Sequence, residues 1–283
     1  MNTFQMHSAP PFSMRPRAHR LLALLLGGML AACGGSNTPS NVASPGAATK
    51  PGTQALEGGA ALLQSKPPLE ALNAYLDGFH FYSGRPQAQM EAHHYCAVLN
   101  EELIQCVIYD GNVKDAKLMG IEYIVSERLF RSLPAAEKAL WHSHAHEVKS
   151  GQLIAPGIPE PAEFALMQRL VGTYGKTWHT WHTDRHQTLP LGAPQLMMGF
   201  TADGQADAAM ISARDRRFGV DSAAKRQDRA AIPAPPIAEG ADGGRSGKAL
   251  QLDDPTGHDV HAPASAAPAS AAPSSPAGTA PNR

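Results

Sequence analysis

The residues best equipped for chemistry sit in "WHSHAHEV", residues 141–148, where His142, His144 and His146 recur at every second position and Glu147 follows. "TWHTWH" adds His179 and His182, and "EAHHYC" adds His93 and His94. Imidazole nitrogen is a ligand for zinc, copper, nickel and iron, and three histidines, or two with a carboxylate, form common ligand sets. On a strand His142, His144 and His146 point the same way, whereas on a helix only His142 and His146 share a face. Glu147 would then face away from the histidines on an ideal strand and act as a supporting partner, or as a ligand only after a bend. No established metal signature is present: "HSHAHE" is not HExxH, and Cys96 and Cys106 lack CxxC spacing. Three readings therefore compete: a metal or catalytic cluster at His142, His144 and His179, completed by His94 and Glu147; histidines satisfied in a polar network; and a plain exposed run.

Other chemistries fit less well. There is no GxSxG elbow, no P-loop and no dinucleotide fingerprint. A cysteine nucleophile beside His94 is conceivable at Cys96, but its face is otherwise apolar, where cysteines are inert or oxidised. Charge is nearly balanced, at −1 overall, and no basic run carries interleaved aromatics, so nucleic acid is not an expected partner. "RDRRFGVDSAAKRQDR" mixes both signs and reads as a solvated terminal helix.

The elements that position these residues begin with an export signal. Arg15, Arg17 and Arg20 precede the apolar run Leu21 to Leu30, too short for a membrane span, and "LAAC" ends at Cys33. The stretch resembles a bacterial lipobox, which implies cleavage after residue 32 and acylation of Cys33. Several acyl chains hold a protein to a bilayer far more firmly than one. With Gly34 next, the resemblance implies lipid attachment to the outer membrane of a Gram-negative envelope, facing the periplasm. Met14 offers an alternative start. Residues 33–60 are the acylated cysteine and a flexible linker, 61–232 a single domain, and 233–283 a disordered Ala/Pro-rich tail, because the flanks have too little apolar content to offset ordering.

Within 61–232 the pattern is α+β, a mainly antiparallel sheet with a few helices. Leu69–Phe79 has helical spacing. "HHYCAVL" and "LIQCVIY" form a hairpin about Asn100–Glu102, with Cys96 opposite Cys106 and Val98 opposite Ile104. With Cys33 consumed by lipid, the other two of the chain's three cysteines are an even pair in an oxidising compartment, which predicts a Cys96–Cys106 disulfide. "KLMGIEYIVS" is a strand presenting Met119, Ile121, Tyr123 and Val125 on one face. "SLPAAEKALW" and "GIPEPAEFALMQRLVGTYG" are helices, the second with Phe164, Met167, Leu170 and Val171 on one side and Gly172 near its end. "KTWHTWHT" and "QLMMGF" are two further strands.

The segments "HHYCAVLNEELIQCVIYD", "KLMGIEYIVSERLFRSLPAAEKALWHSHAHEVKSGQLIAPGIP", "LVGTYGKTWHTW" and "RDRRFGVD" together resemble the DUF1264 family, which includes the plant oil body-associated proteins. The resemblance runs from about Leu69 to Arg229. It implies no settled biochemical activity. It implies matched positions at His94, His142, His144, Glu147 and His179, with His146 and His182 as local additions. The anchor, linker and tail depart from the plant pattern. The first functional reading is a non-enzymatic, membrane-anchored envelope protein that binds a lipid, a protein partner or a divalent transition metal such as zinc. The alternative is a metal-dependent hydrolase or oxidoreductase centred on the histidines.

Overall fold

The computed structural model describes residues 37–246 and 250–253. Cys33, the expected export signal and the part of the expected tail beyond residue 253 lie outside the described residues. Helix α1 (Pro51–Leu63) is exposed along its length, and the four-residue α2 (Pro67–Glu70) leads into the sheet. No helix among the described residues is long and apolar enough to cross a membrane.

The sheet consists of β1 (Ala74–Tyr82), β2 (Arg85–Asn100), β3 (Leu103–Tyr109), β4 (Leu118–Ser126), β5 (His142–Ser143), β6 (Thr173–His179) and β7 (Gln195–Met198). Its order is β4-β3-β2-β1-β7-β6-β5, every pairing is antiparallel, and a further pairing of β4 with β6 closes six strands into a barrel. Closure removes the free sheet edges. Strand β5 takes the edge of β6 at Tyr174 and Gly175, where β7, paired only with Thr177 to His179, has left it.

The β2–β3 hairpin has the register its alternation predicts: Cys96 pairs with Cys106 and Val98 with Ile104. Asn100 Oδ1 accepts from the Glu102 amide at 2.8 Å and turns the chain. Cys96 and Cys106 are joined by a disulfide, with Cα atoms 4.0 Å apart. The bridge lies in an apolar cluster with Leu76, Ile124, Val148, Leu153, Met167 and Leu170. This cluster packs helix α6 (Glu160–Leu170) against one end of the barrel. Helix α6 has Pro161 in its first turn, Glu160 and Glu163 at its positive end and Arg169 in its last turn, all favourable placements.

Four expectations need correction. Residues 74–79 are not helical: β-forming aromatics win over an accidental helical spacing, and β1 is buried on both faces, with the barrel interior on one side. Strand β4 has no uniform face: of the four residues expected together, Met119 and Val125 are buried but Ile121 and Tyr123 are 37% and 41% exposed, while Glu122 and Ile124 on the other side are 3% exposed. The segment 132–141 is broken. Ser126 caps α3 (Glu127–Ser132) through its side chain, and Pro134 separates that helix from α4 (Ala135–Lys138). The charge-dense run is two helices, α7 (Ala208–Phe218) and α8 (Ser222–Asp228), and two of its arginines are buried rather than solvated. Arg214 meets Asp77 Oδ1 at 2.9 Å, the Gln152 carbonyl at 2.7 Å and Ser222 Oγ at 3.0 Å, and covers the Phe79 ring. Arg229 donates to the carbonyls of Val148 and Leu153.

The packed unit also extends past 61–232. On the N-terminal side, Ser40 Oγ and the Asn41 amide donate to Asp110 Oδ2 at 2.8 and 3.0 Å. On the C-terminal side, Asp242 is buried and takes up the amide and hydroxyl of Ser143 at 2.7 and 3.0 Å. Its own amide donates to the Trp141 carbonyl at 2.8 Å. The tail assignment from residue 233 therefore fails for the described part of that segment.

Candidate functional site

Inside the barrel, above the disulfide end, the lining changes from aliphatic to polar. The strands bring His80 from β1, His94 from β2, Glu122 from β4, His142 from β5 and His179 from β6, all buried. His144 and Glu147 complete the group. The chain leaves β5 at His144, which caps helix α5 (Ala145–Lys149), and the switch from period two to helical period returns Glu147 to the interior. His146 is turned outward instead, 3.8 Å from Asp203. His142, His144, His179, Glu147 and His94 thus share one interior, whereas His146 does not.

Glu122 is at the centre. Its Oε1 lies 3.2 Å from His144 Nε2 and 3.4 Å from His142 Nε2, and its Oε2 lies 3.1 Å from His94 Nε2. Two glycines make the room. A Cβ at Gly175 would strike Glu122 Oε1 and stand 2.7 Å from His144 Nε2 and 2.9 Å from His142 Nε2. A Cβ at Gly199 would stand 2.8 Å from Glu147 Oε2 and from His142 Cδ2. The void that His80, His94, Glu122, His144 and Glu147 help to line is about 10 Å³, enough for one water-sized body.

The tautomers of two histidines follow from their partners. His94 Nδ1 lies 3.1 Å from the Ala92 carbonyl, which can only accept, so Nδ1 carries the proton. Thr173 Oγ1 donates to the Leu170 carbonyl at 2.7 Å, which leaves it an acceptor for His144 Nδ1 at 2.8 Å. In the neutral form both rings therefore aim an Nε2 lone pair at a carboxylate oxygen. Lone pair against lone pair at this separation is repulsive unless a cation or a proton lies between them. Donor atoms on one tetrahedral ion with 2.0–2.1 Å bonds stand about 3.3 Å apart, which matches these spacings. His80, Glu122 and His142 offer donor atoms all within 4.8 Å of one another, and so do His142, His144 and Glu147.

The electrostatics are those of a dry polar interior. Burial acts to raise the Glu122 carboxyl, but contacts with His142, His144 and His94 hold it well below the usual range. Burial lowers His142, yet Glu122 beside it outweighs that and the net shift is upward. Burial pushes Glu147 up to about 7, against the pull of His142 and His144. Burial, reinforced by His182 and His94, brings His179 down to about 3. His80 is likewise well below its ordinary value, through burial and the neighbouring His94. His80 Nδ1 and both ring nitrogens of His179 are buried without a hydrogen-bond partner among the described residues. Buried groups left this way cost roughly 1–3 kcal/mol each.

Two further described histidines serve elsewhere. His93, adjacent to His94, is also buried but on the opposite face of β2, with Nδ1 2.8 Å from the Tyr75 hydroxyl and 3.1 Å from Asp77 Oδ2. His182 lies by the buried Tyr82, 3.1 Å from its hydroxyl, which also donates to Asp184 at 2.8 Å. Burial raises the Asp184 carboxyl to about 6. Sequence reasoning missed Glu122 and His80. Glu122 is hidden in "GIEYIVS", where the apolar Met119–Val125 alternation draws the eye to the wrong face; a charge at mid-strand was the available signal. His80 lies in the stretch misread as following a helix.

A family profile described as "Protein of unknown function (DUF1264)" matches residues 66–233. The chain is 43% identical over 219 residues to "Oil body-associated protein 1B" of Arabidopsis thaliana, covering 77% of this chain and 91% of that relative. It is 45% identical over 195 residues to "Oil body-associated protein 1A" of Zea mays, covering 69% and 82% respectively. "Oil body-associated protein 2A" of Zea mays is 42% identical over 195 residues, covering 68% and 77%. No solved structure matches. The barrel, its interior histidines and the flanking helices all lie in the matched span or at its border, and the chain belongs to the DUF1264 family.

Proposed function

We propose that this protein holds a divalent transition metal inside its barrel, at Glu122, His142, His144 and Glu147, and that lipid on Cys33 tethers it to the cell envelope. The observation that carries the metal reading is the pair of fixed tautomers. Ala92 and Thr173 take the Nδ1 protons of His94 and His144, which leaves both Nε2 lone pairs facing Glu122. Metal-bound histidines nearly always donate their other nitrogen in this way. The nitrogen and carboxylate donors suit zinc, iron or manganese. The one-water void favours a holding role over turnover of an organic substrate, so a hydrolase or oxidoreductase is the lesser reading.

The test is metal analysis of the full chain, purified without a histidine tag or chelator. Stoichiometric metal, lost in Glu122→Gln and in His144→Gln, is expected. A metal-free wild type that takes up no added zinc or manganese overturns the reading. The tether is supported by Cys33 following "LAA" after a basic and apolar leader. Cys33→Ser is expected to move the protein from the membrane to the soluble fraction and to abolish palmitate labelling; unchanged retention without label overturns it.

A second reading, contact with a lipid surface, is supported by the outer face of β4. Leu118, Ile121 and Tyr123 are exposed there, and Ile121 stands between Val107 and Trp178 on the neighbouring strands. The relatives' names refer to oil bodies. Flotation of Cys33→Ser with phosphatidylcholine vesicles tests it. Binding that Ile121→Ser and Tyr123→Ser abolish is expected, and no flotation removes it.

A further inference from the structure

We infer that the barrel interior is built for two metal ions rather than one, bridged by the Glu122 carboxylate. The inference rests on the metal reading above and extends it to a second site that also involves His80, His94 and His179. Its basis is the division of donors about Glu122. Oε1 faces His142 and His144, while Oε2 faces His94. A carboxylate whose two oxygens are directed at different imidazoles is the arrangement of a bridging ligand, and paired ions in such centres stand about 3.5–4 Å apart.

The number of donors supports the same conclusion. Seven buried side chains with metal-binding atoms share this interior: His80, His94, Glu122, His142, His144, Glu147 and His179. That exceeds the four positions of a tetrahedral ion, and also the six of an octahedral one before any water is counted. A single ion at Glu122 Oε1, His142, His144 and Glu147 leaves the other three histidines unexplained. Of these, the His80 ring centre lies 5.0 Å from that of His94 and 5.5 Å from that of His179, and also 5.9 Å from that of His142, each in edge contact. Among the described residues, His80 Nδ1 and both nitrogens of His179 have no hydrogen-bond partner, and both side chains are buried. An ion bound to Glu122 Oε2, His94 Nε2, His80 and His179 would take up the His80 nitrogen and one of the two on His179. Carboxylate and imidazole donors at both positions suit ions that accept oxygen and nitrogen together, of the zinc, iron or manganese type.

Stoichiometry separates this inference from the reading beneath it. The full chain, without a histidine tag, is loaded with zinc and separately with manganese, passed over chelating resin and analysed for metal per chain. Two equivalents are expected. One equivalent with both metals overturns the second site and leaves the first reading standing, and none overturns both. In the His80→Phe/His179→Phe double variant the content is expected to fall from two to one, with the β-sheet circular dichroism retained. Two equivalents kept by that folded variant overturn the assignment of these histidines. Should the variant not fold, the manganese-loaded wild type decides: a spin-coupled pair in its electron paramagnetic resonance spectrum is expected, and the six-line signal of isolated ions alone overturns the inference.

Discussion

At the residue scale, the site depends on groups that do not themselves face its centre. Thr173 is one: by accepting from His144 Nδ1 it fixes which nitrogen faces Glu122. Thr173→Val keeps the shape and removes the acceptor. Loss of such a partner lowers metal affinity about 10–100-fold, and competition with a chromogenic chelator measures it. His179 sets a pH response in the metal-free chain. Its folded pKa, about 3, lies below the unfolded value of about 6.5, so between the two the unfolded state binds more protons. Stability is therefore full above pH 6.5 and is lost as pH falls toward 3. By pH 5 the loss is about 2 kcal/mol, at 1.36 kcal/mol per unit. Glu147, raised to about 7, acts in the opposite direction as it protonates, but it is common to wild type and variant. Urea unfolding of wild type and His179→Asn at pH 7 and pH 5 isolates the histidine. The wild type is expected to lose about 2 kcal/mol more than the variant, and equal losses contradict the shift.

At the element scale, β4 is where hydropathy and structure part. Tyr123 faces outward and Ile124 inward. Tyr123→Ser is expected to cost under about 1 kcal/mol and Ile124→Ala about 2–5 kcal/mol, read from urea midpoints; the reverse order would restore the face that alternation alone suggests. The β2–β3 hairpin was legible because one turn and one alternation agree, and its two cysteines fall into register. The β4 face was not, because both faces of that strand carry apolar residues and only closure of the barrel through β6 decides which is inside. The strand–helix switch at His144 was undecidable from spacing, since both periods fit His142. Its resolution comes from β6, whose Gly175 and Tyr174 take up His142 and Ser143 as a two-residue strand. The histidine types and positions were readable. Their common acid, Glu122, required the topology.

At the scale of the whole molecule, the sheet is fastened by segments remote in sequence. Asp242 holds Ser143, the residue between two of the site's histidines, and Arg214 ties α7 to β1 through Asp77. A chain cut to 61–232 lacks Asp242 and the Ser40–Asp110 contact. It is expected to melt several degrees below a 37–253 chain, since losing a few buried hydrogen bonds at about 1 kcal/mol each shifts a domain of this size by about 2–4 °C per kcal/mol. Equal melting temperatures in differential scanning calorimetry would assign those contacts no weight. Closure of the barrel has a last consequence, in time rather than in energy. An ion at the proposed site would be enclosed by six paired strands, and its exchange would then be limited by the rate at which strands part. On that proposal the ion present when the chain folds would be the ion retained, and the compartment in which folding occurs would select the metal ahead of any affinity ranking.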